Sequence, residues 1–278
     1  MNDSNFDSQK VKNHLLGFPG GEITIDWNYA NEGIAIIWLN HVEKRNSITG
    51  KMMVDLSNCI DKLETWTEGK AVIICGKGVN FCSGGDLDFV KENANPTKAF
   101  NMSSWMISTL SRLGDLEMVT VCVAHGPTLG GGAEISTFCD YMLVTENVKF
   151  GFIQGCLNII TAWGGGTRLI QKLGERRALT LFLTSKILSA EECVSFGLAE
   201  KVISAQNFLE DALDWLKEYV KHNHQVIRSF KSLVNTSRGL DHETLKRERQ
   251  LTSELWGATG HIAKINEFSR NKKSNSSK

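Results

Sequence analysis

Two strand-like apolar runs that each lead into a glycine-rich turn constrain this chain most. Ala71-Val72-Ile73-Ile74-Cys75-Gly76 is followed by Phe81-Cys82-Ser83-Gly84-Gly85-Asp86. Val119-Thr120-Val121-Cys122-Val123-Ala124 is followed by Gly126-Pro127-Thr128-Leu129-Gly130-Gly131-Gly132-Ala133-Glu134. A stretch of helical pattern comes after each turn. Glycine lets a backbone N–H approach a ligand with no side chain in the way. A helix start leaves N–H groups unpaired and adds positive potential. Two such turns facing one point would offer a pair of donors to a developing oxyanion, which suits a carbonyl that becomes an enolate.

The remaining sequence bounds the class of protein. The 278 residues are enough for one large domain with a sizeable core. The 31 basic and 31 acidic residues cancel, so no basic surplus points to nucleic acid and no acidic block to a solvating tail. Seven cysteines without a CxxC pair, several of them inside apolar runs, fit reduced core thiols of a reducing compartment. The acidic N-terminus has no apolar core of a signal peptide and no Arg before Arg45, and no apolar run approaches membrane-spanning length. These features predict a cytosolic protein with no membrane or nucleic-acid partner.

Periodicity divides the chain into an N-terminal segment 1–21 of weak structure, a core 22–204, a helical region 205–268 and a disordered basic tail 269–278. Strands are expected over 22–29, 33–39, 71–76, 119–124, 141–144 and 198–203. Helices are expected from Met52, Met53, Leu56, Ile60 and Leu63, and over 86–92, 98–116, 134–139, 206–221, 224–238 and 241–257. Ser189 with Glu192 reads as a capping box. The alternation predicts an α/β core with a helical C-terminal region. His125, just before Gly126, reads as a residue of a strand end. No His, Cys or carboxylate cluster has metal-ligand spacing, and no P-loop Lys-Ser/Thr follows the glycines.

Five segments in order resemble the crotonase (enoyl-CoA hydratase/isomerase) superfamily: Glu43-Lys44-Arg45-Asn46-Ser47-Ile48, Phe81–Leu87, Gly130–Glu134, Trp163-Gly164-Gly165-Gly166-Thr167-Arg168-Leu169, and Gly197-Leu198-Ala199-Glu200-Lys201-Val202. The resemblance spans roughly residues 20–268. Within the superfamily the chain is most similar to the ethylmalonyl-CoA decarboxylase branch, on Phe18-Pro19-Gly20-Gly21, Trp66–Lys70, Ala162–Gly165, Glu248–Leu251 and Leu255-Trp256-Gly257. It implies a spiral of ββα turns, a C-terminal helical trimerisation region giving a homotrimer or homohexamer, a coenzyme A thioester as ligand, and no metal or organic cofactor.

The resemblance also implies roles for individual residues. The N–H groups of Gly85 and Gly131 become the oxyanion donors. Arg45, Asn46 and Ser47 run along the adenine and ribose of CoA, much of it through main chain. Ser83, Gly84, Asp86, Leu87 and Gly130 line the thioester site, with Asp86 also a candidate helix cap. Trp163 and Phe152 are candidates for an apolar wall around the acyl group, and each is equally a core side chain. Glu134 matches the first catalytic glutamate of hydratases. The second falls on Gln154, whose neutral amide neither takes nor gives a proton at ordinary pH. The branch is expected to carry His there, and Pro127 replaces a bulky aromatic.

Hydration and isomerisation need the missing carboxyl, whereas decarboxylation needs only an electron sink and a final proton. The expected activity is therefore decarboxylation of short branched malonyl-CoA thioesters (ethylmalonyl-CoA, methylmalonyl-CoA), as repair of thioesters formed in error by biotin-dependent carboxylases. The alternatives are an enoyl-CoA hydratase or isomerase using Glu134 alone, and a catalytically inactive CoA-binding protein.

Overall fold

A computed structural model of the chain describes residues 6–237 and 242–275. Helix α1 (Ser8–Leu16) precedes an antiparallel pair, β1 (Glu22–Asp26) and β2 (Ile34–Asn40). Then follow α2 (Gly50–Thr65), β3 (Ala71–Gly76), α3 (Leu87–Glu92), α4 (Pro96–Asp115), β4 (Val119–Ala124), β5 (Pro127–Leu129), α5 (Gly131–Thr137), β6 (Tyr141–Thr145) and β7 (Lys149–Gly151). After a 3₁₀ turn at Gln154–Leu157 come α6 (Gly165–Leu173), α7 (Glu175–Thr184), α8 (Ala190–Ser195) and β8 (Lys201–Ile203). The chain continues into α9 (Phe208–Val220), α10 (His224–Ser237), α11 (His242–Leu255) and α12 (Thr259–Asn275).

The strands form a sheet of order β1-β2-β3-β4-β6-β8, parallel from β2 onward. Its central strands are apolar at nearly every position because both faces are covered, and the exception in β4, Thr120, bonds its hydroxyl and N–H to Asp140. Ile34, Ile36, Ile73, Cys75, Val121 and Val123 pack with Leu213 and Leu216 of α9 on one side. Ala35, Ile37, Leu39, Val72, Ile74 and Cys122 enter the larger core with α2 and α4 on the other. Each such aliphatic side chain contributes about 1.5–3 kcal/mol by leaving water.

A second, shorter ladder runs beside the main sheet. Its rungs are Ile48 with Gly85, Cys82 with Thr128, β5 with β7, and Phe150 with Leu188. Each turn of chain thus adds a strand to the sheet and a rung to the short ladder, which is the spiral expected of the core. The capping box is formed as read: Ser189 Oγ accepts the Glu192 N–H while Glu192 accepts the Ser189 N–H.

Both chain ends depart from expectation. The segment 1–21 contains α1, capped by Asp7 and anchored by buried Val11 and Leu15. Three apolar residues in nine, Leu16 among them exposed, give little periodic signal, and the helix is stabilised by contacts with α2 and α4 instead. At the other end α12 runs to Asn275, past the expected boundary at 269, with Ile265 seated in the core. Residues 1–5 and 276–278, also covered by those two expectations, lie outside the described residues.

Candidate active site

The short ladder brings the two glycine turns together. The parallel rung of Cys82 with Thr128 sets the offset between them. Carried three residues along, it places Gly85 beside Gly131. Ladder bonds run Cys82 N–H to Pro127 O at 3.2 Å and Leu129 N–H to Cys82 O at 3.0 Å. The contact is backbone on backbone: a methyl group on Gly84 would lie 3.2 Å from Leu129 O and 3.4 Å from Gly131 N. Gly130, with φ +54°, turns the chain into α5 while its N–H donates to Gly151 O at 2.9 Å. The N–H groups of Gly85 and Gly131 have no hydrogen-bond partner among the described residues. Two donors on adjacent turns, one of them at a helix start, are suited to an oxyanion.

Trp163 covers both glycines. A methyl group on Gly131 would fall 2.2 Å from the Trp163 indole, and one on Gly85 would be 3.9 Å from it. The indole is buried and fixed by Nε1–H donating to Met102 Sδ at 3.0 Å. It is a wall over the paired N–H groups. Phe152 has the contacts of a core side chain. Its ring packs between Phe150 and Phe182, at centroid distances of 5.9 and 5.6 Å, inside the hydrophobic core.

Glu134 and Gln154 meet, and their contact changes the expected role of Glu134. The Glu134 carboxylate is 2% exposed and its oxygens are surrounded by N–H donors. Oε1 accepts from Gln154 Nε2 at 2.9 Å and Ala162 N at 3.2 Å. Oε2 accepts from Trp163 N at 2.8 Å and Gly165 N at 3.1 Å. Each oxygen thereby fills its two lone-pair directions. Glu134 ties α5 to the start of α6 and holds the Trp163 backbone. Its geometry is that of a positioning residue rather than a proton carrier.

Gln154 is oriented by the same bond. With Nε2 donating to Glu134, Oε1 is the remaining amide atom. It is buried and has no hydrogen-bond partner among the described residues. Ser103 and Thr252 complete the support of the 158–163 loop: Ser103 Oγ donates to Ala162 O at 2.5 Å and Thr252 Oγ1 to Thr161 O at 2.7 Å. Sequence reasoning passed over Ser103, Thr252, Met102 and the Ala162 and Gly165 N–H groups. Nothing in their local spacing distinguishes them from ordinary helix and loop residues.

The 45–47 loop flanks the first glycine turn. Arg45 and Asn46 both have left-handed backbone, φ 56° and 54°. Asn46 is fully buried and its side chain is a staple: Oδ1 accepts the His41 N–H, and Nδ2 donates to Lys77 O and Asn80 O. It shapes the loop and does not reach outward as a ligand contact. Ser47 Oγ donates to Asp86 Oδ2 at 3.4 Å, and Ser83 N–H donates to Arg45 O at 3.1 Å. Arg45 itself is exposed at the loop tip.

Asp86 caps α3 by accepting the N–H groups of Asp88 and Phe89, each at 3.1 Å. Burial alone would raise its carboxyl, but Lys44 and those N–H groups outweigh burial and hold it below the ordinary range. Lys44 bridges Asp88 at 2.8 Å and Asp86 at 2.9 Å, and those two bonds, Asp88 first, raise its ammonium above the usual value. Leu87 opens α3, half-buried beside this network. His125 lies at the strand end as expected. It is stacked on Phe208 at 4.3 Å with Nε2 against the Gly76 backbone, and burial lowers it to about 4.

Comparison with known proteins agrees with this architecture. A family model described as enoyl-CoA hydratase/isomerase matches residues 29–273. The chain is 37% identical to ethylmalonyl-CoA decarboxylase of Rattus norvegicus over 264 residues, 94% of this chain and 88% of the relative. It is 36% identical to ethylmalonyl-CoA decarboxylase of Homo sapiens over 94% of this chain and 85% of that one. Among solved structures, an enoyl-CoA hydratase/isomerase from Xanthobacter autotrophicus Py2 superposes with a TM-score of 0.81 at 22% identity, covering 91% of this chain and 94% of the other. An enoyl-CoA hydratase from Mycobacterium avium subsp. paratuberculosis K-10 gives 0.79 at 20% identity, with 91% and 97% covered. These two likenesses establish the fold.

Proposed function

The chain belongs to the enoyl-CoA hydratase/isomerase family, and on that premise we propose that it decarboxylates short branched malonyl-CoA thioesters, ethylmalonyl-CoA and methylmalonyl-CoA. The observation that carries this reading is the contrast inside the site. The two N–H donors at Gly85 and Gly131 are unpartnered, while both positions of a hydratase acid–base pair are occupied otherwise. Glu134 is saturated by N–H donors, and Gln154 is an amide. A site with an electron sink and no proton shuttle suits loss of CO₂ better than addition of water. Identity of about a third to relatives named ethylmalonyl-CoA decarboxylase supports the same reading.

In this mechanism the thioester oxygen accepts from Gly85 and Gly131. The C2–carboxylate bond turns out of the thioester plane, and its electron pair flows into the carbonyl as CO₂ departs. The enolate oxygen strengthens its two hydrogen bonds as charge develops. Water donates a proton to C2, so the malonyl thioester anion and one proton give CO₂ and butyryl-CoA or propionyl-CoA. Trp163 keeps bulk water from the carboxylate, favouring its departure as a neutral molecule. Gln154 Oε1 accepts from the water that delivers the proton. Arg45, exposed at its loop tip, runs along the adenine and ribose of CoA with its neighbours.

We place this reaction in the cytosol as repair of wrongly carboxylated thioesters; the unpaired cysteines suit a reducing compartment. A homotrimer or homohexamer is part of the proposal. Exposed Val226, Phe230, Leu233 and Val234 form one apolar stripe on α10, the kind of face a subunit contact covers. Light scattering after size exclusion tests it, with a mass of three or six chains expected and one chain overturning it.

The direct test of activity offers the purified protein methylmalonyl-CoA, ethylmalonyl-CoA and crotonyl-CoA and follows products by mass. Propionyl-CoA and butyryl-CoA are expected. Hydration of crotonyl-CoA with the malonyl thioesters untouched overturns the proposal.

A further inference from the structure

The C-terminal helix carries a second buried polar atom without a partner. His261, in the first turn of α12, is 0% exposed. Its Nδ1 accepts the Gly257 N–H at 2.9 Å, so Nδ1 carries no proton. Burial lowers the imidazole below its ordinary value, and the neutral ring therefore holds its one proton on Nε2. That Nε2–H has no acceptor among the described residues. A buried donor without an acceptor opposes folding, and a ligand that brings the acceptor accounts for it.

The position of His261 ties it to the site. On one side its ring lies 5.1 Å from Trp256, whose Nε1–H donates to O of Asn93, the residue that ends α3. On the other side the preceding residue, Gly260, accepts through its O from Asn158 Nδ2 at 3.2 Å. Asn158 ends the 3₁₀ turn that carries Gln154. Helix α12 therefore spans from α3 to the Gln154 turn. These are the two elements that flank the paired N–H groups: Val90 of α3 would stand 3.2 Å from a methyl group on Gly85, and Gln154 holds Glu134.

Gln154 Oε1 and His261 Nε2, two of the buried polar atoms without a partner, have opposite chemistry. Gln154 Oε1 accepts only, and His261 Nε2–H donates only. A free carboxylate is repelled by the first and matched by the second. Resting on the decarboxylase reading above, we propose that His261 Nε2–H receives the free carboxylate of the substrate and is the residue that separates malonyl-type thioesters from acyl thioesters lacking that group. A neutral donor suits the task. It orients the carboxylate through one hydrogen bond without the strong ground-state hold of a Lys or Arg, which would oppose loss of CO₂.

His261→Phe and His261→Gln test this in the full chain, with folding followed by thermal melting. Two quantities are read: KM for ethylmalonyl-CoA and the inhibition constant of butyryl-CoA, which has the same acyl chain without the carboxylate. His261→Phe is expected to raise KM by about 10- to 100-fold, the loss of one hydrogen bond to a charged group, and to leave butyryl-CoA inhibition within about twofold. His261→Gln, which keeps an N–H donor, recovers most of the KM. Equal shifts in both quantities, or none, overturn the proposal. Should wild-type protein turn over neither malonyl thioester, the decarboxylase reading fails separately. Calorimetric binding of methylmalonyl-CoA against propionyl-CoA then still decides: preference for the carboxylated ligand that disappears in His261→Phe and returns in His261→Gln supports the role of His261, and an unchanged preference in His261→Phe, or its loss in both variants, removes it.

Discussion

The paired glycine turns and the Glu134–Gln154 pair are joined through α5, yet they use the chain in opposite ways. The turns present backbone N–H groups whose positions follow from strand register. The Glu134–Gln154 pair uses side chains, and there the carboxylate is an anchor among N–H donors while the amide keeps a buried Oε1 with no partner among the described residues. The lesson is that a site can keep its electron sink while its proton relay is converted into scaffolding. Backbone donors survive most side-chain substitutions; a proton carrier is lost when one residue changes or when its lone pairs are filled.

The strongest way to break the comparison is Glu134→Ala. It leaves the Ala162, Trp163 and Gly165 N–H groups without their acceptor, at about 1–3 kcal/mol for each one left buried. A loss of about 4 kcal/mol in denaturant unfolding is expected, with activity falling alongside. Unchanged stability with abolished turnover would return Glu134 to the chemistry.

Gly85→Pro follows. It removes one N–H donor and should lower kcat by about 10²–10³ (~3–4 kcal/mol) with the fold retained. Undiminished decarboxylation in folded protein would end the oxyanion role of that turn.

A third test uses pH. His125 bonds the Gly76 backbone and so links the ends of β3 and β4, from which the two turns depart. Its folded value of about 4 lies below the ordinary 6.5, so the unfolded chain binds the proton first as pH falls. The stability it contributes is complete above pH 6.5 and is lost as pH falls toward 4, up to about 3 kcal/mol. Melting curves across that window should fall more steeply for the wild type than for His125→Gln. Parallel slopes would detach His125 from acid sensitivity.

The smallest effect sharpens the pair itself. Gln154→Glu places a second carboxylate where the amide now sits 2.9 Å from Glu134. The pair must share a proton, and that proton becomes available for transfer. Decarboxylation is expected to fall about tenfold, roughly 1.4 kcal/mol, with crotonyl-CoA hydration appearing. Absence of any hydration product would place the barrier to hydratase chemistry elsewhere in the pocket.

Much of this was legible before any coordinates. The strands 71–76 and 119–124 occur where the apolar runs stand, because an unbroken β-branched stretch has few other stable settings. The shared offset of the turns was visible as the 46-residue separation of Gly85 and Gly131, and the register of the Cys82–Thr128 rung carries the same spacing. Helix α1 was not legible, since its two buried residues gain stability from α2 and α4 rather than from local periodicity. The motifs did not display that the Asn46 side chain staples its own loop, nor which of its two readings Phe152 takes, because both depend on packing with distant residues.

By itself the sequence determined the α/β alternation, the glycine turns and the amide at position 154, because residue type and period govern backbone choice locally; the spiral was implied only by the resemblance of its motifs. Only the tertiary structure decided what the polar side chains do. A carboxylate is a base or an anchor according to how many donors surround it, and the donors around Glu134 come from residues 20 to 31 positions away in the chain. His261 stands apart from every glycine motif, and packing of α12 against α3 and the Gln154 turn is what sets its surroundings.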